Sequence, residues 1–427
     1  MMEKLLQYVW SHRLWAPSEM RTADGEHVAI IDQGTLNGAS GPDFFNAKIK
    51  IGDKTWAGDV EIHVRASDWY RHGHDDDRAY DSVVLHVVHS SDADVFRTNG
   101  EKIPQIELPC ARDFNIRYRD LVDNPLSELK CGAELAQMDG IYLADWLETL
   151  AIERLQRKAA RVAELAGNAY SDWSTAIYVV LARALGFGIN AEPFERLALA
   201  VPLRFLRRHA DNPPTIEGLL FGTAGFLNDL ALLHSDPYID RMIEEYQFYS
   251  RKYGIDELHN AGWRFGTRPT NMPYRRIATL AAMICEGFAA GHRLLAARNA
   301  EEARRIFQFD IMGFWSRRYN FGKPTARSPR ALSDNSINTL LINVAAPAQY
   351  AYDNIYQHGE NCRALELLQS LPPEDNSITR LFERAGVTCR DAFTTQALIE
   401  LRRNYCEPRK CLYCRIGHKI LASRRKP

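Results

Sequence analysis

Over roughly the first ninety residues the apolar side chains tend to fall on alternate positions, and over most of the remainder they recur every third or fourth position. The first spacing predicts strands and the second predicts helices. Leu5, Leu6, Val9, Trp10 and Trp15 mark a short amphipathic helix over residues 3–16, stopped by Pro17. Residues 27–31 read as a first strand, 34–41 as a turn bearing glycine and asparagine, and 44–51 as a second strand closed by Gly52, Asp53 and Lys54. A third strand over 56–64 sets Val60, Ile62 and Val64 on one face, with Asp59, Glu61, His63 and then Arg65 on the other. A polar stretch at 67–81, helical or looped, precedes residues 82–88, which are apolar on both faces and so predict a strand covered on both sides.

The order helix, three strands, helix, strand describes a small mixed sheet flanked by helices. From Asp113 onward the spacing predicts helices over 141–166, 173–185, 193–209, 216–234, 275–299 and 303–314. They form one helical region, divided near the Pro- and Arg-rich segment 264–276, with no fixed-period repeat that would indicate a solenoid. A further helix over 391–404 leads into a compact cysteine cluster and a basic tail, Arg424, Arg425 and Lys426. The expected organisation is therefore an α/β domain over 1–115, a mostly α-helical domain over 116–375, and a C-terminal helix with a cysteine cluster over 376–427.

With 427 residues the chain exceeds the size at which one core stops growing, so two or three domains are expected. Hydrophobic residues at 46% and charged residues at 25% argue for a soluble globular protein and against disorder. The formal net charge of −1 offers no global field for a polyanion, so any grip on nucleic acid has to come from a local basic patch. The N-terminus lacks the apolar core of a signal peptide, and no run of about 18 apolar residues occurs, so a cytoplasmic protein with no membrane partner is expected. Eight cysteines in a chain of this length do not make a disulfide framework; they are thiols or metal ligands.

Chemistry concentrates around Gly41-Pro42-Asp43-Phe44 and the polar face of the third strand. An aspartate at the start of one strand, with a carboxylate and a basic group on the next, is what metal-dependent phosphodiester cleavage requires. Two hard oxygen ligands hold Mg²⁺ or Mn²⁺ and a third side chain handles the attacking water. The same face also reads as the solvated side of an amphipathic strand, and Asp43 as a turn cap. The loop at 68–77 adds His72, His74 and four aspartates, so His74 with Asp77 can complete a transition-metal site begun by Glu61 and His63; the other reading is a helix cap with solvated charges. His86, inside an apolar strand, reads as a core histidine.

Near the C-terminus Cys406, Cys411 and Cys414 are spaced by four and then two residues, so their thiolates can converge on one metal centre. His418, Cys389 or the distant Cys131 can be the fourth ligand. Zinc with His418 is the simplest local closure, an iron–sulfur cluster is its rival, and thiols packed between helices are the alternative without metal. Arg264, Arg268, Arg275 and Arg276 are interleaved with Trp263, Phe265 and Tyr274, a mixture suited to phosphates and unstacked bases, or equally to an interdomain turn.

The first hundred or so residues resemble the PD-(D/E)XK nuclease superfamily. Pro42-Asp43 stands where that superfamily keeps its proline–aspartate pair, and Glu61-Ile62-His63 where it keeps an acid, any residue and lysine. The resemblance implies an α/β nuclease-like domain, with Asp43 and Glu61 as metal ligands and the Ile62 carbonyl as a third. It also implies that Asp59 is a further ligand or an outer partner of the ligands, that Glu3 contributes from the first helix, and that His63 positions water or stabilises charge developing on the phosphate in place of the usual lysine. The substrate it implies is DNA or RNA. The whole chain also resembles an uncharacterised family of bacterial proteins, which implies no activity. The expected function is metal-dependent hydrolysis of a nucleic-acid phosphodiester. The alternatives are a non-catalytic nucleic-acid-binding or assembly protein on a degenerate nuclease fold, and a hydrolase of a small phosphorylated molecule.

Overall fold

The computed structural model describes residues 2–15, 20–38, 40–108, 112–123, 128–168, 172–228, 236–266, 269–288, 290–326, 330–356 and 362–422. Pro17, Cys110, Arg268 and the basic tail lie outside these residues. The chain divides into two compact units, one made of residues 1–138 and 403–427 and the other of residues 139–402.

In the first unit the helix α1 (Met2–Ser11) buries Leu5, Leu6, Val9 and Trp10, as its spacing predicts. Among the described residues seven strands follow in one sheet: β1 (Met20–Arg21), β2 (His27–Asp32), β3 (Thr35–Leu36), β4 (Phe44–Ile51), β5 (Lys54–Arg65), β6 (Val83–Ser90) and β7 (Gln105–Glu107). Their order is β1-β2-β4-β5-β6-β7, with β3 paired to β4. Pairing is antiparallel from β1 to β5 and parallel from β5 through β7. A parallel pair needs a crossover, and between β5 and β6 it is made by α2 (Asp68–Arg71) and a 3₁₀ turn at Arg78–Tyr80. β4 shows the alternating burial that its sequence predicts, and the first six residues of β6 are buried without alternation because both faces are covered.

The strands β1, β3 and β7 were not expected, since two or three residues carry too little periodicity to read. The boundaries also differ from those the sequence suggests. Instead of standing apart, residues 403–427 belong to the sheet unit, because Leu412 and Leu421 are buried in the same core as Leu5, Trp10 and Ile62.

The second unit is helical, its longest elements being Gly140–Asn168, Trp173–Leu185, Pro237–Tyr253 and Pro273–Cys285. The helix expected over 193–209 is interrupted at Pro202, and the one expected over 275–299 breaks where Gly287 adopts a positive φ of 85°. Among the described residues no helix is long and apolar enough to cross a membrane.

Candidate metal centre

Asp43 and Glu61, eighteen positions apart, meet at the start of β4 and the middle of β5. The loop before β4 is fastened by Asn37, whose amide donates to the carbonyls of Ser40 and Pro42 at 3.1 and 3.0 Å. That places the Asp43 backbone N–H 2.9 Å from Oε2 of Glu61. The Asp43 carboxylate accepts from Gln7 on α1 at 2.9 Å and from the Ile62 amide at 3.2 Å. Burial, then the charge of Glu61, pushes Asp43 up to about 7, against the pull of those two hydrogen bonds; Glu3 adds to the rise. Asp43 is therefore a carboxyl poised near neutrality.

On the other side of Glu61 lies a group of histidines. His63 Nε2 is 3.5 Å and His74 Nε2 is 3.4 Å from Oε1 of Glu61. His74 is held by its backbone N–H donating to the Trp69 carbonyl and by stacking on Tyr80, with ring centroids 3.7 Å apart. Gly73, at φ 73°, makes the turn that brings His72 and His74 to the same side. The ligand atoms of His63, His72 and His74 all lie within 4.8 Å of one another.

Which His63 nitrogen carries the proton follows from a chain of hydrogen bonds across three strands. Gln105 on β7 donates from Nε2 to the Ala93 carbonyl at 2.9 Å, which turns its oxygen toward His86 Nδ1 at 3.2 Å. Burial holds His86 down at about 4, so it is neutral, protonated on Nδ1 and accepting on Nε2. His63 Nδ1, 2.9 Å away, must then be the donor. Burial first, and the neighbouring His86, His74 and His72 next, lower the His63 pKa far below the usual range, so this ring is neutral as well. Its Nε2 lone pair therefore faces the Glu61 carboxylate and His72 Nδ1, the latter 3.1 Å away. The contact with Glu61 has no proton to share and is not an ion pair.

Donor atoms sharing one ion at bonds of about 2.1 Å stand roughly 3.0–3.4 Å apart, and Glu61 Oε1, at 3.5 and 3.4 Å from His63 Nε2 and His74 Nε2, lies close to that spacing beside the three grouped histidines. His72, exposed on the rim, is the further nitrogen. A neutral lone pair opposite a carboxylate is an arrangement suited to a cation.

Other expected residues are placed elsewhere. Asp59 accepts from the Asn46 amide at 3.1 Å and from the Ser82 hydroxyl at 2.6 Å, fastening the point where the register of β4 on β5 shifts. It is not brought to the histidines, because its strand position faces the neighbouring backbone. Asp77 caps the 3₁₀ turn through the Ala79 amide at 2.9 Å and does not join His74. Gln7, His86 and Gln105 support the site but were not singled out for it. A glutamine has no spacing signal of its own, and His86 reads as core from its strand, which it also is, with no exposure.

In the helical unit the expected basic surface at Arg264, Arg268, Arg275 and Arg276 is corrected in part. Arg275 and Arg276 are fully buried. Arg275 donates to the carbonyls of Trp315 and Arg318, and Arg276 to the Ala331 carbonyl, Asn271 and Ser336. Their guanidiniums bind the chain's own acceptors and cannot reach a phosphate, because both lie in the packed first turn of the helix Pro273–Cys285. Arg264 is exposed, with its backbone held by Asn190. A cleft in this unit lined by Trp173, Arg207, His292 and Tyr352 contains none of the residues that the sequence marked.

At the C-terminus His418 is engaged by the Tyr8 hydroxyl at 2.6 Å from its Nδ1, and its ring packs on His12. Cys389 belongs to the helical unit, whereas Cys131, Cys406, Cys411 and Cys414 share the sheet unit.

The family model described as "Protein of unknown function (DUF2851)" matches residues 3–377, and the chain belongs to that family. No curated protein and no solved structure matches the chain.

Proposed function

We propose that the sheet unit is a metal-dependent phosphodiester hydrolase whose ion is held by Glu61, His63 and His74, with His72 completing the set. The observation that carries the reading is the His63 lone pair turned toward the Glu61 carboxylate at 3.5 Å. The bound ion supplies Lewis acidity and charge neutralisation at the phosphate. A set rich in imidazole favours a borderline divalent ion, Mn²⁺ or Zn²⁺, over Mg²⁺.

Asp43 is the proton acceptor in this scheme. Burial and the charge of Glu61 raise its carboxyl in the metal-free chain, a direction that suits it to take a proton. As water attacks phosphorus, one water proton passes to the Asp43 carboxylate, the bond from phosphorus to the leaving oxygen breaks, and that oxygen takes a proton from solvent. Gln7 and the Ile62 amide keep the carboxylate oriented throughout. The succession of α1, β2, β4, β5, α2 and β6, with the acids at Asp43 and Glu61, supports the nuclease-like reading, and DNA or RNA is the substrate it favours.

A second reading, hydrolysis of a small phosphorylated molecule, is favoured by the burial of Arg275 and Arg276, which removes half of the expected basic patch. One assay distinguishes the two. The purified chain is incubated with single- and double-stranded DNA and RNA and with a small aryl phosphodiester, under Mn²⁺, Zn²⁺ and Mg²⁺ in turn. Cleavage of a polynucleotide supports the first reading, and cleavage of the small diester alone supports the second. Turnover that persists in both Asp43→Asn and Glu61→Gln would remove this site from the chemistry.

A further inference from the structure

Outside the histidine site, the sheet unit gathers a second group of metal-ligating side chains, contributed by two segments between which residues 139–402 intervene. Cys131 is the residue before the short helix Gly132–Leu135, whose first turn closes on the Cys131 carbonyl. Cys406 ends the turn Arg402–Cys406, and the chain reverses through Lys410, whose N–H donates to the Tyr405 carbonyl at 2.7 Å, and Arg409, at a positive φ of 55°. Cys411 opens the 3₁₀ turn Cys411–Tyr413, and the Cys414 N–H donates back to the Cys411 carbonyl at 3.3 Å. A Cβ built at Gly417 would lie 2.0 Å from that same carbonyl oxygen, so the C-terminal helix Arg415–Ala422 seats on the knuckle only because no side chain stands there.

Cys131 and Cys411 pack against one apolar cluster, the core that also buries Leu412 and Leu421. Cys406, Cys411 and Cys414 all lie within electrostatic reach of Cys131, and Arg409 and Lys130 are neighbours of Cys411. The four cysteines thus share one partly buried part of the sheet unit, with cations nearby.

We propose that Cys131, Cys406, Cys411 and Cys414 are the four ligands of an iron–sulfur cluster. Four residues between the first two C-terminal cysteines and two between the next pair is the C-x₄-C-x₂-C spacing of a [2Fe–2S] site whose fourth cysteine lies elsewhere in the chain, and Cys131 fills that place. Cys131 is taken in place of His418, whose Nδ1 is hydrogen-bonded to Tyr8 and whose ring packs on His12. The cluster fastens the last segment of the chain to the sheet unit, and the inference stands whether or not the histidine site hydrolyses phosphodiesters.

The full chain, purified without oxygen, is analysed for iron, acid-labile sulfide and zinc, and its visible spectrum is recorded. Iron and sulfide in equal amounts with a brown colour are expected; stoichiometric zinc in a colourless protein, or neither metal, overturns the cluster. Cys131→Ser and Cys406→Ser are expected to lose the iron and colour, whereas Cys285→Ser and Cys389→Ser retain them. Full iron in Cys131→Ser overturns the ligand set. Because those variants can lose their fold along with the cluster, the reduced wild-type protein is also examined by pulsed electron paramagnetic resonance. Strong coupling to a ligating imidazole nitrogen would assign the fourth position to a histidine and overturn the proposal, and its absence supports four sulfurs.

Discussion

His63 Nε2 and Glu61 Oε1 face each other across 3.5 Å. The two side chains sit two residues apart on β5, pointing to the same side of the sheet, and the protonation of His63 is dictated from two strands away. If they are ligands, Glu61→Gln and His63→Ala each weaken Mn²⁺ or Zn²⁺ binding at least about tenfold, read by calorimetric titration of the purified chain. Unchanged affinity in both variants would show that the ion binds elsewhere or not at all.

Gln105 hydrogen-bonds to His86 and to the Ala93 carbonyl, and through His86 its oxygen sets the tautomer of His63. Gln105→Leu removes that acceptor and lets His86 turn or change tautomer. We expect metal affinity to fall about 10- to 100-fold, the usual effect of losing a residue that orients a ligand, while the melting temperature changes much less than for a core truncation. Equal affinity in this variant would refute the relay.

Glu217, in the helical unit, makes stability depend on pH. It is buried, accepts from Trp315 Nε1 at 2.8 Å and from the Tyr238 hydroxyl at 3.0 Å, and burial raises it from 4.5 to about 7. Between those two values the folded chain holds a proton that the unfolded chain has lost, so the stabilisation is complete below about pH 4.5 and is lost as pH rises through about 7. The loss is of the order of 3 kcal/mol. Glu217→Gln keeps an acceptor for both donors and is expected to flatten denaturant midpoints measured from pH 5 to pH 8; an unaltered slope would exclude Glu217 as its source.

Gly417→Ala puts a methyl group where the Cys411 carbonyl oxygen already stands. Overpacking of this kind costs typically up to about 3 kcal/mol. We expect the variant to melt earlier and to expose residues 403–427 to limited proteolysis before residues 20–108.

Arg276 is surrounded by its own chain, with its guanidinium also 4.5 Å from the Phe187 ring centroid. Arg276→Met is expected to destabilise the helical unit by about 2 kcal/mol or more, since it leaves the Ala331 carbonyl and Asn271 without their donor. It should leave any affinity for oligonucleotides unchanged, whereas Arg264→Ala, at an exposed position, is the variant in which such affinity would fall. The two measurements together separate a structural arginine from a surface one.

What the sequence by itself determined is local. Alternation over 44–51 and 56–64 and the apolar run at 82–88 correspond to β4, β5 and β6, and the spacing of Leu5, Leu6, Val9 and Trp10 to α1. Period and parity need only a few neighbouring residues, so the face shared by Glu61 and His63 was readable too. Only the tertiary structure decided what comes from far along the chain. It set His86 and Gln105 behind His63, turned Asp59 to the backbone of β4, sealed Arg275 and Arg276 in the interior, and returned Cys406, Cys411 and Cys414 to the unit that holds Cys131. No periodicity encodes these choices, because each depends on which buried polar or apolar group finds its partner once the core has closed.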